Sequence, residues 1–293
     1  MNKSVDIVTI NFNSGSYLPD YFEALRGLDY PLASWRVILV DNGSSDGSME
    51  RLPEITHGIE LATISLGRNG GVTAGNNAGI TAGNSEYVSF LNPDTRVHKD
   101  WLSRLVDHME AETDIGLAEA AQVPSELDKY RDPDTGDTSW ASTGGVLVRR
   151  SALNQAGTFD ERFFMYEDDV DLCWRLWLHG WRCVYVPEAK YDHRPHDTRP
   201  PSSFLRYHVV RNQAYMRFIY GSNGDYLSRI WLGLKFAARD TSPDLRSASV
   251  RAAKDAIAAL PWLRQRRNDL PPVRSKWVGL FEDPYMPSLA DGK

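Results

Sequence analysis

The chain has 293 residues, 42% of them apolar, enough to bury a substantial core in one large domain or in one domain with an appendage. No apolar run is long enough to span a bilayer, and the start, Met1-Asn2-Lys3-Ser4-Val5-Asp6, lacks the apolar region of a signal peptide, so a cytoplasmic protein is expected. The net charge of −6 conceals an asymmetry, because Arg199 to Arg267 holds 13 Lys/Arg against 4 Asp/Glu, a balance of +9 that leaves −15 for everything else.

The first third alternates strands and helices. Val5 to Asn11 is a short apolar run, followed by an amphipathic segment with Leu18, Phe22, Leu25 and Leu28 on one face and by a second run, Val37 to Asp41. Continuous rather than alternating apolar runs suit strands buried on both faces of a parallel sheet, with helices as crossovers. A third strand, Ile59 to Leu66, leads through Gly67-Arg68-Asn69-Gly70-Gly71 into a small-residue helix, Val72 to Ala82, and then to Tyr87–Leu91. The pattern is α/β, and its ligands are expected at the carboxyl ends of the strands. Those ends carry Asn11-Phe12-Asn13, Asp41-Asn42-Gly43-Ser44-Ser45-Asp46-Gly47, Arg68-Asn69-Gly70-Gly71 and Asn92-Pro93-Asp94. An acid at a strand end accepts hydrogen bonds from a base or ribose, a glycine-rich turn lets backbone approach a ligand, and Arg68 would offset diphosphate charge. Each motif alone is also an ordinary turn; together they point to a nucleotide site. Neither a dinucleotide fingerprint nor a phosphate loop is present.

Between Pro124 and Thr138 the chain is rich in turn residues and lacks apolar periodicity, which reads as a mobile loop over the acceptor side of the crevice. Trp140 at its end is either a sugar-stacking platform or a core residue. Farther on, Glu167, Asp168, Asp169 and Asp171 set four carboxylates within five residues. Val170, Cys173, Trp174 and Trp177 recur at helical spacing, so these acids fall at a helix N-terminus, where the macrodipole favours negative charge. Mutual repulsion should push at least one pKa upward, separating a proton acceptor from groups that stay ionised, although the stretch also reads as a solvated helix start. Cys173 and Cys183 read as reduced core thiols. The C-terminal region turns helical near Phe204–Tyr220, Tyr226–Ala238 and Leu245–Leu260 before a Pro-rich end at Pro271-Pro272. Its basic charge is interleaved with Phe204, Tyr207, Trp231 and Phe236, which suits an anionic membrane surface; the alternative is packing on the acidic body. No nucleic-acid-binding motif accompanies the charge, and no nucleic-acid partner is expected.

In order and over Val5 to about Asn212, the motifs Asn11-Phe12-Asn13, Val40 to Ser48, Arg68-Asn69-Gly70-Gly71, Leu91-Asn92-Pro93-Asp94, Gly144 to Arg150, Gly157 to Glu161 and the acidic stretch resemble the family-two inverting glycosyltransferases of GT-A fold, in particular bacterial rhamnosyltransferase-like members. The resemblance implies a Rossmann-like mixed sheet flanked by helices. It would comprise a catalytic domain over 1–203, with a donor half to about 98 and an acceptor half from 99, and a helical C-terminal region over 204–293. It implies that Asp41 holds the base of a nucleoside diphosphate sugar within a donor site that includes Asn11, Phe12, Arg68, Asn69 and Asn92. It further implies that Asp94 is the metal-binding acid of the family's Asp-x-Asp position, and that Asp169 is the catalytic base with Asp168 in the adjoining Glu place on the acceptor side. His193 matches a histidine that many relatives carry near the metal. Asn92 replaces the first acid of the Asp-x-Asp position, so a Mg²⁺ or Mn²⁺ ion would depend on donor diphosphate oxygens to complete its shell. The implied reaction moves a sugar, with dTDP-rhamnose favoured and UDP-sugars an alternative, to a glycan or lipid-linked glycan in bacterial polysaccharide assembly. The rival readings are a catalytically silent sugar-nucleotide or glycan-binding module and a sugar-1-phosphate nucleotidyltransferase; the second should carry basic residues after the first strand, where Ser14-Gly15 stand instead.

Overall fold

The computed structural model describes residues 3–193 and 202–271; Arg199 and the Pro-rich end from Pro272 lie outside the described residues. The donor half runs β1 (Val5–Asn11), α1 (Leu18–Arg26), β2 (Trp35–Asp41), the one-turn α2 (Leu52–Ile55), β3 (Leu61–Ser65), α3 (Gly71–Ala82) and β4 (Tyr87–Leu91). These four strands lie parallel in the order β3-β2-β1-β4, and β1, β2 and β4 are buried almost throughout, as their unbroken apolar runs require. Register aligns Asn11 with Asp41 and Asp41 with Ser65, so the polar strand ends form one row. The order reverses between β1 and β4, and a crevice opens at such a switch point.

The sheet continues through β5 (Thr95–Val97), α4 (Trp101–Ala111), β6 (Ile115–Val123), β7 (Gly145–Arg149), α5 (Arg150–Ala156), α6 (Asp168–Leu178) and β8 (Arg182–His193). β7 joins β4 antiparallel, β6 and β8 extend the sheet, and β5 closes its edge antiparallel to β8. Four helices follow, α7 (Ser203–Tyr220), α8 (Asn223–Arg239), α9 (Pro243–Ala258) and α10 (Leu260–Asp269). The first three begin on Ser202, Ser222 and Ser242, each accepting an amide hydrogen bond from the third residue on.

The C-terminal helices are not a detached appendage. A single apolar core runs from Val8, Phe90 and Val146 through Phe159 and Trp174 to Tyr215, Phe218 and Leu263. Part of the basic charge is spent on the body: Arg266 lies 3.7 Å from Asp160 and 3.5 Å from the buried Asp171, which also pairs with Arg175 at 2.9 Å and accepts from the Tyr220 hydroxyl at 2.7 Å. Both cysteines are buried and free. No helix among the described residues is long and apolar enough to cross a membrane.

The segment 124–138 is irregular in backbone, as its composition predicts, and side chains tie it to the sheet. Lys129 is buried and donates to Glu119 at 2.6 Å and to the Trp140 carbonyl at 2.9 Å, while its ammonium stands 4.4 Å from the Trp140 ring centre. Arg131 bridges Thr138, and Asp137 bridges Val184 on the sheet. One buried ion pair therefore fixes a stretch in which turn residues hide any periodicity.

Candidate active site

At the donor end the strand termini are laced by side-chain amides. The Asn11 amide donates to Ser48 Oγ at 2.8 Å and lies 3.3 Å from Asp41, which also accepts from the Ser44 N–H at 3.2 Å. Asn42 accepts from the Gly70 N–H at 2.8 Å and donates to Asn69 Oδ1 at 3.1 Å, and Asn69 in turn accepts from the Gly71 N–H at 2.9 Å. Beside this network opens a cavity of about 650 Å³, walled by Phe12, Ser14, Asn42, Asn69 and Asn76, with Asn92 at its floor. Phe12, 46% exposed, is placed to stack on a planar ligand.

Arg68 stands beside the turn that follows Asp41: a Cβ on Gly43, which has φ +82°, would come within 2.9 Å of the Arg68 backbone. The exposed Arg68 side chain also lines a shallow cleft with Asn77 and Glu161.

A second cavity, of about 590 Å³, shares Val72, Asn92, Thr143, Met165 and Tyr166 with the first. Asp168, Asp169 and Trp140 line it, as do Gln213, Arg217 and Arg229 from α7 and α8. The acids arrive there on an unusual loop. Phe164, Tyr166 and Glu167 all have left-handed backbone, with φ between 64° and 67°. One side chain from outside holds it: the fully buried Asn212 of α7 shares its two amide protons among the carbonyls of Phe163 at 2.9 Å, Met165 at 2.8 Å and Tyr166 at 2.8 Å. Arg211 adds bonds to the Arg162 and Phe163 carbonyls, and the Thr73 N–H of α3 donates to Phe164 at 3.3 Å. The loop thus ties the nucleotide-side helix to the acids.

Burial is the main reason both carboxyls are raised. It pushes the Asp169 carboxyl up to about 6, opposed by a hydrogen bond from the Val170 N–H and by the Lys129 charge. Asp168, buried beside Asp169, Asp171 and Glu167, is raised well above the usual carboxylate range, again by burial first and by Asp169 second. The upward shift expected from crowding is present, but desolvation rather than repulsion is its larger cause.

Asp94 and His193 meet at the sheet edge because β5 and β8 pair Thr95 with His193. His193 Nε2 lies 3.2 Å from Asp94 Oδ2. No three His, Cys, Asp or Glu side chains among the described residues cluster closely enough to hold a metal by themselves. One carboxylate and one imidazole fit a divalent cation that brings further oxygen ligands with it.

Residues 6–173 match the model for glycosyl transferase family 2. The chain belongs to this family. A second model, glycosyl transferase family group 2, matches residues 134–263, which include the C-terminal helices. This glycosyltransferase is 30% identical to the N-acetylglucosaminyl-diphospho-decaprenol L-rhamnosyltransferase of Mycobacterium tuberculosis, over 71% of this chain and 82% of that protein. It is 35% identical to the rhamnosyltransferase WbbL of Escherichia coli over a shorter stretch, 31% of this chain and 37% of WbbL. In architecture it resembles Staphylococcus aureus TarS 1–349 in complex with UDP-GlcNAc, with a TM-score of 0.65 and 17% identity over 90% of this chain and 83% of that one. It also resembles a mannosyltransferase from Pyrobaculum calidifontis in complex with GDP-Man and Mn²⁺, with a TM-score of 0.61 and 15% identity over 92% and 85% of the two chains. These likenesses establish the GT-A fold.

Several site residues of the glycosyltransferase escape a reading of motifs, namely Lys129, Asn212, Gln213, Arg217 and Arg229. Only Asn212 leaves a signal. It shares one helical face with Tyr215, Met216 and Ile219, all buried, and a polar residue on an apolar face needs partners to be buried.

Proposed function

We propose that the glycosyltransferase moves a sugar, with dTDP-rhamnose the favoured donor and a UDP-sugar the alternative, to a hydroxyl of a lipid-linked glycan acceptor with inversion at the anomeric carbon. The observation that carries this reading is the position of Asp169, half-buried in the wall of one cavity next to the junction with the other, with its carboxyl raised to about 6. The nucleotide occupies the cavity beside Asn42 and Asn69, and the acceptor occupies the cavity of Asp169. The acceptor oxygen attacks the anomeric carbon from the face opposite the diphosphate; the carbon–oxygen bond to phosphate breaks, and Asp169 takes the hydroxyl proton. A carboxyl near 6 is ionised at neutral pH yet basic enough to accept that proton. Burial raises the Asp168 carboxyl well above the usual carboxylate range, which disfavours a second negative charge beside the base. Asp94 and His193 would hold Mg²⁺ or Mn²⁺, which supplies charge neutralisation for the departing diphosphate. The acceptor class is supported by the Mycobacterium relative, whose name specifies a diphospho-decaprenol acceptor.

An anionic lipid surface is the proposed place of work. Leu227, Trp231 and Leu234 recur at one face of α8, are 64%, 69% and 37% exposed, and stand beside the exposed Lys235 and Arg239. Incubating the protein with labelled sugar nucleotides and a short-chain lipid diphosphate sugar tests the reaction. Sugar appearing on the lipid supports it; conversion of the sugar nucleotide to sugar 1-phosphate and nucleoside triphosphate when pyrophosphate is added, or binding without turnover, would favour the rival readings.

A further inference from the structure

The two cavities differ in charge. Among the described residues no Lys or Arg lines the cavity beside Asn42 and Asn69, whereas Arg217 of α7 and Arg229 of α8 line the cavity that holds Asp169. Gln213, one helical turn before Arg217, faces the same space. Glu167, Asp168 and Asp169 line the same cavity. A base carboxylate beside Glu167 would repel an anionic acceptor there, since like charges a few ångströms apart interact strongly where bulk water is partly excluded. Two guanidiniums counter that repulsion. Burial raises the Asp168 carboxyl well above the usual range, which lessens the negative charge that the two guanidiniums face. Guanidinium forks are also the side chains best suited to phosphate oxygens.

We propose that Arg217 and Arg229, with Gln213, form a subsite for the phosphate or diphosphate group of the acceptor in the cavity that also holds the base. Calling the ligand an acceptor rests on the transfer reading above; recognition of the anion does not. The subsite explains why α7 and α8 belong to the catalytic core: they carry the half of the cavity that grips the acceptor, while the sheet carries the half that binds the donor and removes the proton. It also restricts the acceptor hydroxyl to one that lies within a sugar's reach of its own phosphate.

The test uses the full chain with its donor cavity filled by saturating nucleoside diphosphate and Mg²⁺. Isothermal titration then compares farnesyl diphosphate with farnesol. The expected result is that the diphosphate binds, that farnesol binds at least about tenfold more weakly, and that Arg217→Gln and Arg229→Gln each weaken the diphosphate roughly 10–100-fold, the range of a charge-assisted hydrogen-bonded contact. Arg246→Gln, at an exposed position on α9, should leave the affinity unchanged. Arg217→Lys, which keeps the charge but not the fork, should fall between and guards against a folding defect in the glutamine variant. Equal affinity in parent and both glutamine variants, equal binding of farnesol, or no binding of the diphosphate would overturn the subsite. Full displacement by dihexanoyl phosphatidylglycerol would assign the arginines to a phospholipid headgroup and overturn the acceptor assignment. If the diphosphate pattern holds while no sugar reaches any lipid acceptor, the transfer reading fails and the anion subsite stands.

Discussion

The Asn212 amide donates to the Tyr166 carbonyl at 2.8 Å, joining the middle of α7 to the residue before the acidic stretch across 46 positions of sequence. The same amide reaches Phe163 and Met165, so one buried side chain holds the left-handed loop that aims Asp169. Asn212→Leu removes these donors and strands the Met165 and Tyr166 carbonyls, while Phe163 keeps its bond from Arg211. It should destabilise the protein by roughly 1–3 kcal/mol, the usual cost of unsatisfied buried polar groups. Steady-state kinetics should show kcat falling by about 10²-fold with a smaller change in donor KM, because the nucleotide network around Asn42 is untouched. The acid limb of the pH–rate profile should also move down as the loop loosens and Asp169 gains solvent. An unchanged limb would reduce Asn212 to a purely structural role.

Asp169→Asn should lower kcat by roughly 10²–10⁴-fold while nucleotide binding survives. The parent enzyme should lose activity as pH falls through about 6, the value to which burial raises this carboxyl. The stability prediction has a definite sign. A carboxyl raised in the folded state contributes stability below its unfolded pKa, near 4, and loses that contribution as pH rises through about 6. The asparagine variant should therefore melt higher than the parent at pH 7.5 and no higher at pH 4. Differential scanning calorimetry at both pH values checks this, and a variant less stable at pH 7.5 would count against a desolvated base.

Lys129 and Glu119 form a buried pair beside the same base. Burial dominates the rise of Asp169, with Lys129 opposing it and Glu119 adding to it. Lys129→Met should cost about 3–5 kcal/mol by stranding Glu119, and should shift the acid limb of activity upward. Adding Glu119→Gln should recover most of the stability. Chemical denaturation of the single and double variants measures the coupling; additive losses would mean that the pair contributes no more than its separate members.

Asp94 and His193 should make nucleotide binding dependent on a divalent cation. Titration of a nucleoside diphosphate with Mg²⁺ or Mn²⁺ should give an affinity at least about tenfold above that in chelator, and Asp94→Ala should abolish the difference. His193→Ala should weaken the metal effect less. Equal affinity after chelation would remove Asp94 from this role.

Trp231→Asp combined with Leu227→Ser should reduce co-sedimentation with anionic vesicles at low salt, without altering turnover of a water-soluble short-chain acceptor. Both positions are exposed on α8 and outside the two cavities. Binding that persists in the double variant would leave the lipid contact to other surfaces.

Residue order along the chain already determined the donor half. Unbroken apolar runs specify strands buried on both faces, and polar residues at their carboxyl ends must meet once the strands lie parallel, so the contact of Asn11 with Asp41 and the sharing of one cavity by Asn69 and Asn92 were legible from local pattern, whereas Asp94 meets His193 through the pairing of β5 with β8. The acidic stretch was legible for the same reason, because helical spacing after it fixed where its acids sit. Tertiary structure alone decided which charges reach the cavities. Arg68 is exposed beside the Gly43 turn and lines a cleft with Asn77 and Glu161, a placement its motif does not specify. Lys129 is buried by an acid ten residues away on another element, and Arg217, Arg229 and Asn212 reach the site only because α7 and α8 share the core of the sheet. A helix displays several faces, and its periodicity tells which of them is buried but not what lies opposite; that depends on long-range packing, which burial of the common apolar core enforces.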